Sequence, residues 1–138
     1  MVITEKFNLS TKGNTDVVNI TEVCDRVIGK SGIRNGVITV FNPGSTGAIT
    51  TIEYEPNLVE DFQDALELIA PADKVYKHGE TWDDDNGSSH IRSTLIGPSI
   101  TVPFVDGRMT LGTWQQIVFC DFDTRPRERC LVAQIIGE

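Results

Sequence analysis

The sequence predicts an α+β domain of mainly antiparallel, packed β-sheets with two long helices and one short one. Three observations lead there. Seven or eight short runs are rich in β-branched and aromatic residues, as strands require. Only two stretches carry a long helical periodicity, and they do not alternate regularly with the strands, as a βαβ fold would demand. Asp106-Gly107, between two such runs, is the dipeptide that closes a two-residue antiparallel hairpin. The chain has 138 residues, within the roughly 100–200 typical of one domain, so residues 1–138 are read as a single domain.

In chain order, residues 2–10 (VITEKFNLS) alternate apolar and polar and read as a strand, followed by the turn cluster TKGNT. Val17, Ile20, Cys24 and Val27 recur at helical spacing, which predicts an amphipathic helix from Asp16 to Ile28. Asn14 or Thr15 would cap its start and Gly29 would stop it. Gly36–Phe41 (GVITVF) and Ala48–Glu55 (AITTIEYE), joined by the glycine turn NPGSTG, are expected to be adjacent strands. On the second of them, period-two alternation turns Glu53 and Glu55 to one face. Two such carboxylates repel unless solvent, a cation or a ligand separates them.

A second helix is predicted from an Asn57 cap, with Leu58, Phe62, Leu66 and Ile69 as its buried stripe, ending before Pro71. Lys74–Lys77 (KVYK) reads as a short strand. From His78 to Ser89 there is no periodicity, and a loop that long in a compact domain is usually functional or disordered. Ser88 or Ser89 would cap a short helix, HIRSTLIG, stopped by Gly97-Pro98. Ser99–Val105 is a strand, its hairpin partner begins at Arg108, and Leu111–Phe122 and Arg129–Ile136 are the last strands.

Composition excludes several functions. Acids outnumber bases, 20 to 12, for a net charge of −8, and no lysine–arginine cluster exists of the kind that binds nucleic acid. No apolar run reaches the roughly 18 residues of a membrane span. The N-terminal MVITEKFNLST does not read as a signal peptide, so a cytoplasmic location is expected. Three cysteines without a CxxC pair, two of them in apolar strand-like segments, point to reduced, buried thiols.

Polar chemistry concentrates between Tyr76 and Gln115. His78 and His90 bracket Asp83, Asp84 and Asp85. Imidazole and carboxylate suit zinc, and aspartates with water and substrate phosphate suit magnesium; a solvated acidic loop accounts for the same residues. Ser88 and Ser89, at a helix start, offer either an anion cradle or simple caps. Arg92 and Arg108 would clamp phosphate or pair with the local aspartates.

HIRSTLIGPSITVPFVDGRMTLGTWQQIVFCDF, with the upstream NPGSTGAITTIEYEP and the loop DDDNGSSH, resembles the YjbQ-like family of small proteins over nearly the whole chain. The most specific element is Gly107-Arg108 followed by Leu111-Gly112-Thr113-Trp114-Gln115. The resemblance implies an α+β fold of packed sheets and a homotrimer. It also implies metal ions near the family's histidines, which here are His78 and His90. In some members it implies a weak thiamine-phosphate synthase activity, joining a hydroxymethylpyrimidine diphosphate to a thiazole phosphate. Many relatives carry Pro-His-Thr-Thr where this chain has Pro43-Gly44-Ser45-Thr46, so no role of that histidine carries over. Glu53 falls on the glutamate that follows the motif.

The expected site follows from both readings. Asp84 with a divalent ion (zinc or magnesium, held also by His78 and His90) neutralises the diphosphate. Ser88, Ser89 and Arg108 hold its oxygens, with Asn86, Thr113 and Gln115 as further substrate-binding candidates. Glu53 steadies the cation that forms as pyrophosphate leaves or orients the pyrimidine, and His90 ligates metal or protonates the leaving group. The alternative is a metal-binding homotrimer whose inter-subunit pocket takes another small anion without catalysis.

Overall fold

The computed structural model describes all 138 residues. Eight strands and four helices follow one another as β1 (Val2–Thr11), β2 (Asp16–Asn19), α1 (Thr21–Ser31), β3 (Gly36–Phe41), β4 (Gly47–Glu53), α2 (Pro56–Ile69), α3 (His78–Trp82), α4 (Gly87–Ile96), β5 (Ser99–Val105), β6 (Arg108–Met109), β7 (Gln115–Asp121) and β8 (Arg127–Gly137). They build a five-stranded sheet in the order β1-β8-β3-β5-β6 and a three-stranded sheet β2-β7-β4. Every pairing is antiparallel. The α+β architecture is as expected. No helix is long and apolar enough to cross a membrane.

The layers follow from which face each strand buries. Along β7, Ile117 and Phe119 join a core with Ile38, Val40, Leu131 and Ile135 of the larger sheet and with Cys24 and Ile28 of α1. The alternate residues, Val118 and Cys120, pack with Leu66 and the flanking Val59, Phe62 and Ile96 of the helices. The small sheet is therefore the middle layer, and its central strand is apolar on both faces. Serines dock α4 on it: Ser93 Oγ donates to Gly47 O at 2.6 Å and Ser89 Oγ to Phe122 O at 2.5 Å.

Several expectations are corrected. Asp16–Asn19 is a strand, not the first turn of a helix, because its residues pair with Asp121–Val118 of β7. The supposed caps Asn14 and Thr15 instead have positive φ, 53° and 67°. With Gly13 they make a tight turn anchored by Asn14 and Thr15 amides on Asp123 O and Asp121 O. Helix α1 runs past Gly29 to Ser31, ending at left-handed Gly32. Strands β3 and β4 lie in different sheets: β3 is flanked on both sides by β5 and β8, which leaves β4 to pair with β7. Helix α2 is capped by Glu55, not Asn57; its carboxylate accepts from the Asn57 and Leu58 amides. Ile69 is exposed rather than part of the buried stripe. Lys74–Lys77 forms no strand, and α3 occupies part of the supposed loop. Of the cysteines, Cys24 and Cys120 are buried free thiols, each pushed up to about 12 chiefly by burial, whereas Cys130 is exposed.

A charged network ties β7 to β8. Asp121, fully buried, accepts from Arg129 Nε and Nη2 at 2.7 Å each, from Thr11 Oγ1 at 2.5 Å and from the Asp123 amide at 3.0 Å. Asp123 accepts from Arg127 Nε at 2.8 Å and the Thr124 amide at 2.8 Å. Burial pushes both carboxyls up, but these bonds outweigh it and hold both below the ordinary carboxylate range. A depressed folded-state value contributes stability above the unfolded value, near 3.9 for aspartate, and loses it as pH falls toward the folded one. Urea unfolding should therefore give a stability that changes little from these two groups above roughly pH 5 and falls below roughly pH 4. A stability that rises on acidification through that window would contradict the network's role.

Candidate functional site

Helices α3 and α4 bring the two histidines together. His78 opens α3, His90 lies one turn into α4, and their rings meet edge to face with centroids 4.5 Å apart at 62°. Asp84 Oδ2 is 3.4 Å from His78 Nε2. Asn86, the residue before α4, reaches both Asp84 oxygens at 3.0 and 3.2 Å when its amide is turned so that Nδ2 donates. Asp84 thus links the loop to His78. Asp83, with φ of 53°, closes α3 by donating its amide to Gly79 O.

Two open cavities flank this cluster. One, of about 430 Å³, is lined by Lys74, Lys77, His78, His90, Tyr76 and Ile91 among others. The other, of about 350 Å³, is acidic, with Glu80, Asp83, Asp84 and Asp85. Both are walled by Lys74, Val75, Tyr76 and Gly87. Tyr76 is fixed by its hydroxyl, which donates to Pro71 O at 2.7 Å. A Cβ at Gly87 would come within 2.4 Å of the Tyr76 side chain, so glycine is what lets α4 start against that ring. Lys74 Nζ lies 5.2 Å from the same ring's centre.

The expected metal set does not form within one chain. Imidazole–carboxylate contact joins His78 to Asp84, but no three His, Cys, Asp or Glu side chains converge in a way that could hold an ion. A structural zinc takes four ligands and a catalytic one three.

The expected phosphate cradle is corrected as well. Helix α4 begins at Gly87, so Ser88 and Ser89 lie inside its first turn and both are buried, with Ser89 spent on Phe122 O. Arg92 is buried too, and is fully engaged. Its Nε and Nη2 donate to Ala70 O at 3.0 and 2.8 Å, Nη1 to Thr15 Oγ1 at 2.8 Å, and Nη2 to Glu67 at 2.6 Å. It pairs with none of the local aspartates and joins α4 to the end of α2 and to the β1–β2 turn. Arg108 sits exposed on β6, opposite Val105, and lines neither cavity.

Glu53 ends β4 opposite Gln115 and lines a third open cavity, of about 460 Å³, with Thr113 and Trp114. That cavity contains neither histidine nor Asp84. Gln115 is occupied in its own turn: Nε2 donates to Thr51 Oγ1 at 3.1 Å and Oε1 accepts from the Gly112 amide at 3.1 Å. Glu53 and Glu55 share this cavity without sharing a strand face, because Glu55 has left the sheet to cap α2. At Gly44, a Cβ would meet only ordinary contacts, 3.4 Å from Asn42 Oδ1 and 3.6 Å from Arg129 Nη1. The glycine there is not forced by crowding.

Sequence reasoning missed Lys74 and Lys77, which a strand-like pattern had claimed. The available signal was two bases beside two histidines in an acidic chain.

Comparison with known proteins places the chain in a family. The family model described as UPF0047 protein YjbQ-like matches residues 5–138. A UPF0047 protein of Methanothermobacter thermautotrophicus is 39% identical, covering 99% of this chain and 94% of its own length. One from Archaeoglobus fulgidus is 34% identical, over 95% of this chain and 99% of the relative. Among solved structures, a YbjQ-like protein of unknown function from Sulfolobus solfataricus superposes with a TM-score of 0.94 at 31% identity, over 100% of this chain and 99% of that one. A protein from Aeropyrum pernix gives 0.91 at 32% identity, over 99% of both chains.

Proposed function

This chain belongs to the YjbQ-like (UPF0047) family, and on that footing we propose that it transfers a small phosphorylated ligand in a reaction of the thiamine-phosphate synthase type. A hydroxymethylpyrimidine diphosphate is joined to a thiazole phosphate. One observation supports this above others: in a chain of net charge −8, Lys74 and Lys77 share a cavity with the abutting His78–His90 pair. Two ammonium groups favour a polyanion where the rest of the surface repels it. The carbon–oxygen bond to pyrophosphate breaks with its electrons, leaving a stabilised cation on the pyrimidine methylene, and the thiazole nitrogen then forms the new bond. His90 gives a proton to the departing oxygen, His78 and Asp84 steady its ring, and the lysines hold the phosphates. Glu53 takes part as the cation's counter-charge only where a second copy brings its cavity to the histidines.

Purified protein incubated with both precursors and magnesium should form thiamine phosphate above background. His90→Ala should lower the rate about 100-fold, and Lys74→Met should raise KM. Absence of product from the wild type sinks the proposal.

A different observation supports a second reading. Leu68, Ile69, Val75, Trp82 and Leu95 are large, apolar and more than half exposed, all on or between α2, α3 and α4. Grouped exposed apolar residues mark interfaces. In a homotrimer that buries them, donors from a neighbouring copy would complete a zinc or magnesium set with His78, His90 and Asp84 around another small anion, without catalysis. A monomer by sedimentation, or metal content unchanged by His78→Ala/His90→Ala, removes that reading.

A further inference from the structure

The cavity at the open end of the three-stranded sheet has a chemistry of its own. It is lined by Glu53, Tyr54, Glu55, Trp114, Asn19 and Gln116 among its eight residues, and no lysine, arginine or histidine is among them. Trp114 leaves 72% of its surface to solvent and Tyr54 leaves 45%. The Tyr54 ring is held in place, since its hydroxyl donates to Val17 O at 2.8 Å. Asn19 Nδ2 occupies Gln116 Oε1 at 3.3 Å. Glu55 is committed to the two amides at the start of α2. Glu53, exposed at the strand end, has no base in the cavity to pair with.

An exposed indole lining the same cavity as an unneutralised carboxylate can attract cations twice over, through the ring's quadrupole and through charge. A hydrated metal ion gains little from an indole, whereas an alkylated ammonium gains from both. We propose that this cavity binds a small organic cation, an ammonium or protonated nitrogen heterocycle, seated against Trp114 and neutralised by Glu53. Neither phosphate nor a divalent ion enters the proposal, and it is tested with neither transferase precursor present, so its failure and that of the transferase reading are distinguishable although Glu53 figures in both.

The chain has two tryptophans, and the exposed Trp82 can be replaced without touching the core. In the Trp82→Phe protein, Trp114 fluorescence reports the cavity. Choline and its uncharged isostere 3,3-dimethylbutan-1-ol are titrated in parallel, at low and high salt. Choline should give a saturable change with a Kd on the order of millimolar, and the isostere should bind roughly tenfold more weakly. Glu53→Gln should weaken choline about tenfold with an unchanged unfolding midpoint, and salt should weaken it as well. Equal binding of the two isosteres, no saturable change, or Glu53→Gln binding choline like the parent would each overturn the proposal.

Discussion

Replacing Asp121 with alanine should cost about 3–5 kcal/mol of folding stability, the range for breaking a buried ion pair by removing one partner. The carboxylate is wholly buried and Arg129 nearly so. Without Asp121, the guanidinium loses both 2.7 Å bonds and keeps Thr46 Oγ1 at 2.9 Å and the more distant Asp123 carboxylate at 4.0 Å. Thr11 loses its shorter acceptor and keeps only Arg127 O at 3.3 Å, so the β1 end of the larger sheet loosens with the β7–β8 connection. Thermal unfolding should fall by roughly 10 °C or more for a chain of this size. The diagnostic comparison is Asp121→Ala/Arg129→Met, which removes both charges and should recover much of the loss. A double variant no more stable than the single one would mean that packing around Asp121, not charge, sets the cost.

Gly36→Ala should be the other severe change, losing about 3 kcal/mol or more, at the upper end of what overpacking costs. Gly36 faces Gly137 across the β3–β8 ladder. A Cβ on Gly36 would lie 2.2 Å from Ile136 O, and one on Gly137 would lie 2.2 Å from Asn35 O. Both obstacles are backbone, so no side chain can swing aside. The control is Gly29→Ala in α1, where nothing lies within 4 Å of the added carbon. There alanine should raise stability by about 0.5–1 kcal/mol through helix propensity. Urea midpoints of the two variants moving in opposite directions is the expected result. A Gly36→Ala protein as stable as the parent would show that the strands part more easily than their close approach implies.

What was legible in the sequence was what short-range chemistry decides. GVITVF and SITVPFV became strands with the expected bounds, and Asp106-Gly107 made the turn with φ of 51° and 76°, as a primed hairpin turn requires. The ends of α2 and α4 followed Pro71 and Gly97-Pro98. What failed was decided by partners far away in sequence. Val17 and Ile20 fit a helical period with Cys24 and Val27, yet Val17 packs under the helices and Ile20 between the sheets. A one-dimensional pattern cannot separate those two cores. The β3–β4 neighbourhood failed for a similar reason, since β8 outcompeted a sequence-adjacent strand for the same edge. At the site, the histidine pair was anticipated as a pair. Serines at a helix start look alike whether they cap it or turn inward, and here the Phe122 carbonyl drew Ser89 in. Arg92 was ambiguous for the same reason, because a buried acceptor such as Ala70 O leaves no trace in the residue string.

The β1–β8 ladder sets a timetable for synthesis. Val2 pairs with Ile136, and even the nearest partners along the chain are Thr11 and Arg127. At about 5–20 residues per second, a ribosome finishes the partner strand on the order of ten seconds after the first strand has been made. Through that wait β1 has nothing to pair with, and Ile3, Phe7 and Leu9, which later pack on the core, stay open to other chains. Such long-range closure folds slowly once the chain is released. Strand β1, made long before its partner, is therefore among the last elements to find its place, and crowded expression should punish β1 rather than β8.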